Sequence, residues 1–118
     1  MAVVYSVKTF ADFDNPFDII KIFEEKLAEY TGAPYAVSID HCTHAIELCM
    51  IADRIKTTAF PAYTYLSVPM TMHKLGIEYR LLDRQWTSHY QFSNTRIWDC
   101  ARYLQKNMYV PGQLQCLS

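Results

Sequence analysis

Asp40-His41-Cys42-Thr43-His44 gathers a carboxylate, two imidazoles, a thiol and a hydroxyl into one short run. It stands where an apolar, β-rich segment, Tyr35–Asp40, gives way to helical spacing from Thr43 to about Arg54. A helix beginning there presents its first N–H groups and the positive end of its dipole, an arrangement suited to a phosphate. Thr43 can add its hydroxyl. The same residues also suit simple capping, with Asp40 or Thr43 satisfying those N–H groups. His41, Cys42 and His44 are metal-ligand types, but their spacing matches no common zinc pattern and neighbours converge poorly on one ion. We expect no metal.

Two further places carry chemistry. Tyr63 and Tyr65 follow a strand-like run, and a ring there can stack on a flat cofactor or simply pack. Asp99 ends a run of apolar and bulky residues, and a buried carboxylate needs a partner. A protonated ring nitrogen, a helix N-terminus or Arg102 would each serve. Cys100 lacks an identifiable base and is a poor nucleophile candidate. His73 and His89 have no assignable role, and Asp83-Arg84 reads as a surface turn. No catalytic residue is assigned.

The elements that must position these groups alternate along the chain. Asp14 and Asn15 offer cap oxygens, Pro16 suits a first turn, and Phe17, Ile20, Phe23, Leu27 and Tyr30 recur at helical spacing. Gly32 closes a helix over about 16–31. Strands are expected at Tyr35–Asp40, Thr57–Ala62, Tyr79–Asp83, Thr95–Asp99 and Gln113–Ser118. Helices are expected from Thr43 and over Thr64–Leu75, the latter ended by Gly76. Residues 1–15 read as an arm or a short strand (VVYSVKTF). Alternating strands and helices imply one α/β domain over 1–118, a three-layer α/β/α arrangement with a mostly parallel sheet. Ligands bind at the carboxyl ends of such strands. That rule selects Asp40–His44, Ala62–Tyr65, Asp83–Arg84 and Asp99–Cys100.

Composition narrows the function classes. Across 118 residues, 11 Lys+Arg meet 12 Asp+Glu, a net charge of -1, which disfavours nucleic-acid or anionic-membrane binding by bulk charge. With 51% apolar and 14% aromatic residues, the chain is not intrinsically disordered. There are three glycines where an average chain of this length has about eight, so a glycine-rich phosphate loop is not expected. The four cysteines show no paired C-x-x-C spacing, and MAVVYSVKTFADFD lacks a secretory pattern. Reduced thiols in a cytoplasmic protein are the expectation.

Taken in order, these segments resemble the DegT-type (DegT/StrS) sugar aminotransferases, pyridoxal 5'-phosphate enzymes of fold type I that aminate keto sugars linked to nucleotides. FEEKLAEYTGAPYAVSID (Phe23–Asp40) resembles the family's opening segment, and CTHAIEL (Cys42–Leu48) takes the place of its phosphate loop, "GTAAL". FPAYTYLSVPMTMHKLG (Phe60–Gly76) is similar to the segment that contains the stacking aromatic. WDCA (Trp98–Ala101) falls where the family has "EDAA" or "EDCA", and QLQCLS (Gln113–Ser118) resembles the strand before the Schiff-base lysine.

The resemblance implies a compacted part of the pyridoxal-phosphate transferase large domain. It implies that Thr43 and His44 hold the cofactor phosphate, that Tyr65 stacks on the pyridine ring, that Asp99 pairs with the ring nitrogen, and that Ser118 also touches the phosphate. It implies a homo-oligomer, and a complementary C-terminal fragment is a further candidate partner. The departures are equally specific. Cys42 and His44 replace a glycine and a small residue, and fifteen residues, Arg84–Trp98, replace a longer crossing. No lysine of this chain stands in the place of the Schiff-base lysine, so transamination by the chain alone is not expected. The alternatives are a non-catalytic binding or oligomerisation module and a small phosphate- or nucleotide-binding α/β domain.

Overall fold

The computed structural model describes residues 14–118; the expected N-terminal arm or strand at VVYSVKTF lies outside them. Helix α1 spans Asp18–Thr31, two residues inside the expected start. The N-cap residue is Phe17, without a side-chain cap; the cap expected from Asp14 or Asn15 is instead a turn before the helix, with Asn15 Oδ1 accepting the Phe17 N–H at 3.1 Å. Gly32 ends the helix in the left-handed region, φ 77°, and donates to the Ala28 carbonyl. Asn107 and Tyr109 donate N–H groups to Tyr30 and Thr31, which ties the end of α1 to the rest of the chain. Its apolar stripe is open: Phe17, Ile20 and Phe23 are 72%, 44% and 55% exposed.

Tyr35–Asp40 is not a strand, which corrects the sequence expectation. A strand exists through ladder bonds to a neighbour, and among the described residues none lies beside this segment. It is instead pinned to α1 through Glu24, whose Oε1 accepts both the N–H and the hydroxyl of Ser38 at 2.7 and 2.8 Å.

Helix α2, Cys42–Ala52, buries Cys42, Ile46 and Met50, four residues apart on one face. Strand β1, Thr57–Pro61, pairs in parallel with β2, Glu78–Leu82, the register placing Phe60 opposite Leu81. Between them α3 runs from Ser67 to Leu75, with Gly76 as its left-handed cap at φ 66°. The helix starts three residues later than expected because side chains hold Ala62–Leu66 as a turn. Trp86 Nε1 donates to the Tyr63 carbonyl at 2.8 Å, and the Thr64 hydroxyl meets the Tyr90 hydroxyl at 2.6 Å.

Strand β3, Tyr90–Gln91, was not expected; two residues are too short to show periodicity, and it pairs antiparallel with β4, Ile97–Cys100. The turn between them contains Asn94 at φ 61°. Strand β4 pairs in parallel with β5, Leu114–Leu117, placing Asp99 opposite Cys116. The fold is thus a mixed α/β arrangement of three helices and two small sheets, β1-β2 and β3-β4-β5. Ser93 joins the sheets: its N–H donates to Ala59, and its carbonyl accepts the Thr58 hydroxyl. Ile46, Met50, Phe60, Met72, Phe92 and Ile97 form the centre of the core, each 2% exposed or less. No helix among the described residues is long and apolar enough to cross a membrane.

Candidate functional site

The start of α2 has no side-chain cap. His41 is the cap residue, extended at φ -161° and ψ 162°, and its carbonyl accepts the first helical N–H groups, from His44 and Ala45. The N–H groups of Cys42 and Thr43 have no protein acceptor among the described residues. Asp40 caps neither of them. Its Oδ1 accepts the His41 N–H at 3.1 Å and bonds His44 Nδ1 at 2.7 Å, while Oδ2 lies 3.4 Å from His41 Nε2. Hydrogen bonding to His44 holds the Asp40 carboxyl below the usual carboxylate range.

Thr43 turns toward α3, its hydroxyl 2.8 Å from that of Ser67. This bond brings the N-termini of α2 and α3 together beyond the carboxyl end of β1. Tyr65 stands in the same turn with its ring 79% exposed, and Tyr63 is 62% exposed. Both rings are free to stack; neither packs in the core.

Asp99 is 7% exposed and satisfied by two protein donors. Tyr90, its cross-strand partner, donates its hydroxyl to Oδ2 at 2.7 Å, and the Ala101 N–H donates to Oδ1 at 3.0 Å. The Thr64–Tyr90–Asp99 chain links the turn that carries Tyr65 to the end of β4. The neighbourhood is dry and negative. Burial, reinforced by Asp99, pushes the Cys42 and Cys100 thiols up to about 12, and burial raises Tyr90 as well. Burial and the neighbouring carboxylate both disfavour the Cys100 thiolate. Cys42, the first residue of α2, donates its Sγ to the carbonyl of Cys116, the register partner of Asp99.

Thr43, Tyr65 and Asp99 thus belong to one region, linked by side-chain hydrogen bonds through Ser67, Thr64 and Tyr90. His44 stands beside them on the exposed side of α2, and Ser118 follows β5, which flanks β4. A cleft of about 550 Å³ along β1 and β2, lined by Thr58, Glu78, Arg80 and Asn94, contains none of these residues. Sequence reasoning missed Tyr90 and Thr64. Neither carried a sequence signal: β3 is too short to show periodicity, and Thr64 lies in a turn.

Uncapped helix N–H groups, an exposed ring and a buried carboxylate stand near one another in a mixed α/β protein. The chain matches the model of the DegT/DnrJ/EryC1/StrS aminotransferase family over residues 8–94. It belongs to that family. The matched stretch contains Thr43, His44 and Tyr65, while Asp99 and Ser118 follow it. No curated protein and no solved structure is a significant match.

Proposed function

We propose that this chain is a pyridoxal-phosphate-holding member of the aminotransferase family, built as a compacted α/β/α unit, that does not transaminate by itself. The observation that carries the reading is Asp99, a buried carboxylate at the end of β4 whose register partner Cys116 accepts from the thiol of Cys42, the first residue of the uncapped α2. The donor set fits the cofactor. Two free N–H groups and the Thr43 hydroxyl suit its phosphate. Asp99 keeps lone pairs beyond the two already engaged, enough to accept one more hydrogen bond from a protonated ring nitrogen.

Thr43, His44 and Ser118 would hold the phosphate end, and the exposed ring of Tyr65 would stack on the pyridine. Asp99 retains the proton on the ring nitrogen, and Tyr90 keeps that carboxylate aimed. When bound, the cofactor supplies an electron sink. The lysine placement supports holding rather than transamination. Lys56 precedes β1, the ammonium of Lys74 is engaged by Glu47, Lys21 and Lys26 lie on α1, and Lys106 lies in the loop between β4 and β5; Lys8 lies outside the described residues. The substrate class by kinship is a keto sugar linked to a nucleotide. The open apolar stripe of α1 favours a second function, assembly into a homo-oligomer or with a complementary fragment, in a cytoplasmic setting.

The test is titration with pyridoxal 5'-phosphate, followed by visible absorbance and by mass after borohydride reduction. Saturable binding without a covalent adduct is expected. Asp99→Ala should weaken it by about tenfold or more, the weight of one hydrogen bond to a charged group. A specific single-lysine adduct would instead show that the chain can form the catalytic linkage. Absence of binding would leave the assembly module or the cofactor-free phosphate-binding domain.

A further inference from the structure

We infer that Asp40, His41 and His44 form a site for a divalent ion of the zinc–nickel–copper class, on the solvent side of the α2 N-terminus. Two imidazoles and a carboxylate are the ligand types such ions take. One donor atom from each residue lies within 4.8 Å of the other two. Ligand atoms at about 2.0–2.1 Å around a tetrahedral ion stand roughly 3.3 Å apart. His41 Nε2 lies 3.4 Å from Asp40 Oδ2 and His44 Nδ1 lies 2.7 Å from Asp40 Oδ1, so each carboxylate oxygen faces one imidazole, and rotation of the exposed side chains brings the three donors, all within 4.8 Å, to that spacing.

The start of the helix creates this convergence. An extended His41 at the cap position and His44 three residues on project to the same side, the geometry by which cap and third-residue side chains meet in a capping box. Their rings lie 4.1 Å apart, and Asp40 reaches both. The metal-ligand types weighed in the sequence were His41, Cys42 and His44. In the fold, Cys42 leaves the set: it is buried, and its Sγ donates to the Cys116 carbonyl. Asp40 takes its place. Its negative charge offsets the positive end of α2, which would otherwise repel a cation. The side chains of Asp40, His41 and His44 are 59%, 60% and 44% exposed, so the ion has open access and keeps water on its remaining positions.

The experiment is calorimetric titration of the untagged chain with ZnCl2 in a phosphate-free, weakly coordinating buffer, paired with the visible spectrum of the Co2+ form. One equivalent of Zn2+ is expected to bind. Removing one ligand in His41→Ala or His44→Ala should cost at least the roughly tenfold that loss of an outer-shell partner costs, and the double variant should lose binding. These side chains are exposed, and far-UV circular dichroism checks that the variants remain folded. His44 is shared with the proposed phosphate contacts, so the two readings are separated by His41→Ala, which should weaken Zn2+ and leave pyridoxal 5'-phosphate binding as in the parent. No saturable binding, undiminished binding in the double variant, or a thiolate-to-cobalt charge-transfer band would each overturn the assignment.

Discussion

Tyr90 is the residue on which the buried carboxylate of Asp99 depends. It gives its proton to Asp99 Oδ2 and contacts the Thr64 hydroxyl, so one phenol serves the strand pair and the turn before α3. Tyr90→Phe keeps the ring and removes both bonds, leaving a buried acceptor short of a donor. A stability loss of about 1–3 kcal/mol is expected, read from urea denaturation. Because the ring packs in the core against Trp86 and Phe92, the fold should survive.

A second residue-level device is the Asp53–Arg96 pair, which joins the end of α2 to the start of β4 through two 2.8 Å bonds. The bonded guanidinium holds the Asp53 carboxyl below its ordinary range. A carboxyl whose folded value is depressed stabilises the fold above its unfolded value and ceases to do so as the pH falls through the folded one. The contribution is therefore intact above about pH 4 and lost on further acidification. Asp53→Asn should flatten the fall in urea midpoint below about pH 4, and added salt should weaken the parent's contribution.

At the scale of elements, the helix ends were the most legible features. Gly32 and Gly76 each stand just past an apolar repeat, and both adopt the left-handed cap the sequence implied. Space is available at both: a Cβ at Gly76 meets nothing within 4 Å, and one at Gly32 comes no closer than 3.6 Å to Asn107. The penalty is conformational alone. Gly76→Ala and Gly32→Ala should each cost about 1–2 kcal/mol and by similar amounts, measured by thermal unfolding. The strands were less evenly legible. β1, β2, β4 and β5 fell within one or two residues of their expected bounds, whereas Tyr35–Asp40 had the composition of a strand and no neighbour to make it one. Composition reports willingness to be a strand; only a partner's N–H and carbonyl groups satisfy the backbone.

At the scale of the molecule, α1 stands apart. It is joined to the body at its C-terminal end, and Phe17, Ile20 and Phe23 face solvent. Clustered apolar side chains of this kind mark an association surface. The mass in sedimentation velocity should rise with concentration, and Ile20→Glu with Phe23→Glu should shift the population toward monomer. A concentration-independent monomeric mass would remove the homo-oligomer proposal.

The sequence by itself determined the helices, the glycine caps that end α1 and α3, most of the strands and the family, because these rest on local spacing and short motifs. It also marked Thr43, Tyr65 and Asp99 individually. Only the tertiary structure decided how they are joined: Thr64 and Tyr90 lead from the Tyr65 turn to Asp99, and Ser67 ties down Thr43. It also turned Cys42 inward and brought Asp40 to His41 and His44. Those outcomes depend on the direction of each side chain where a strand or loop becomes a helix, and residue order does not carry that direction.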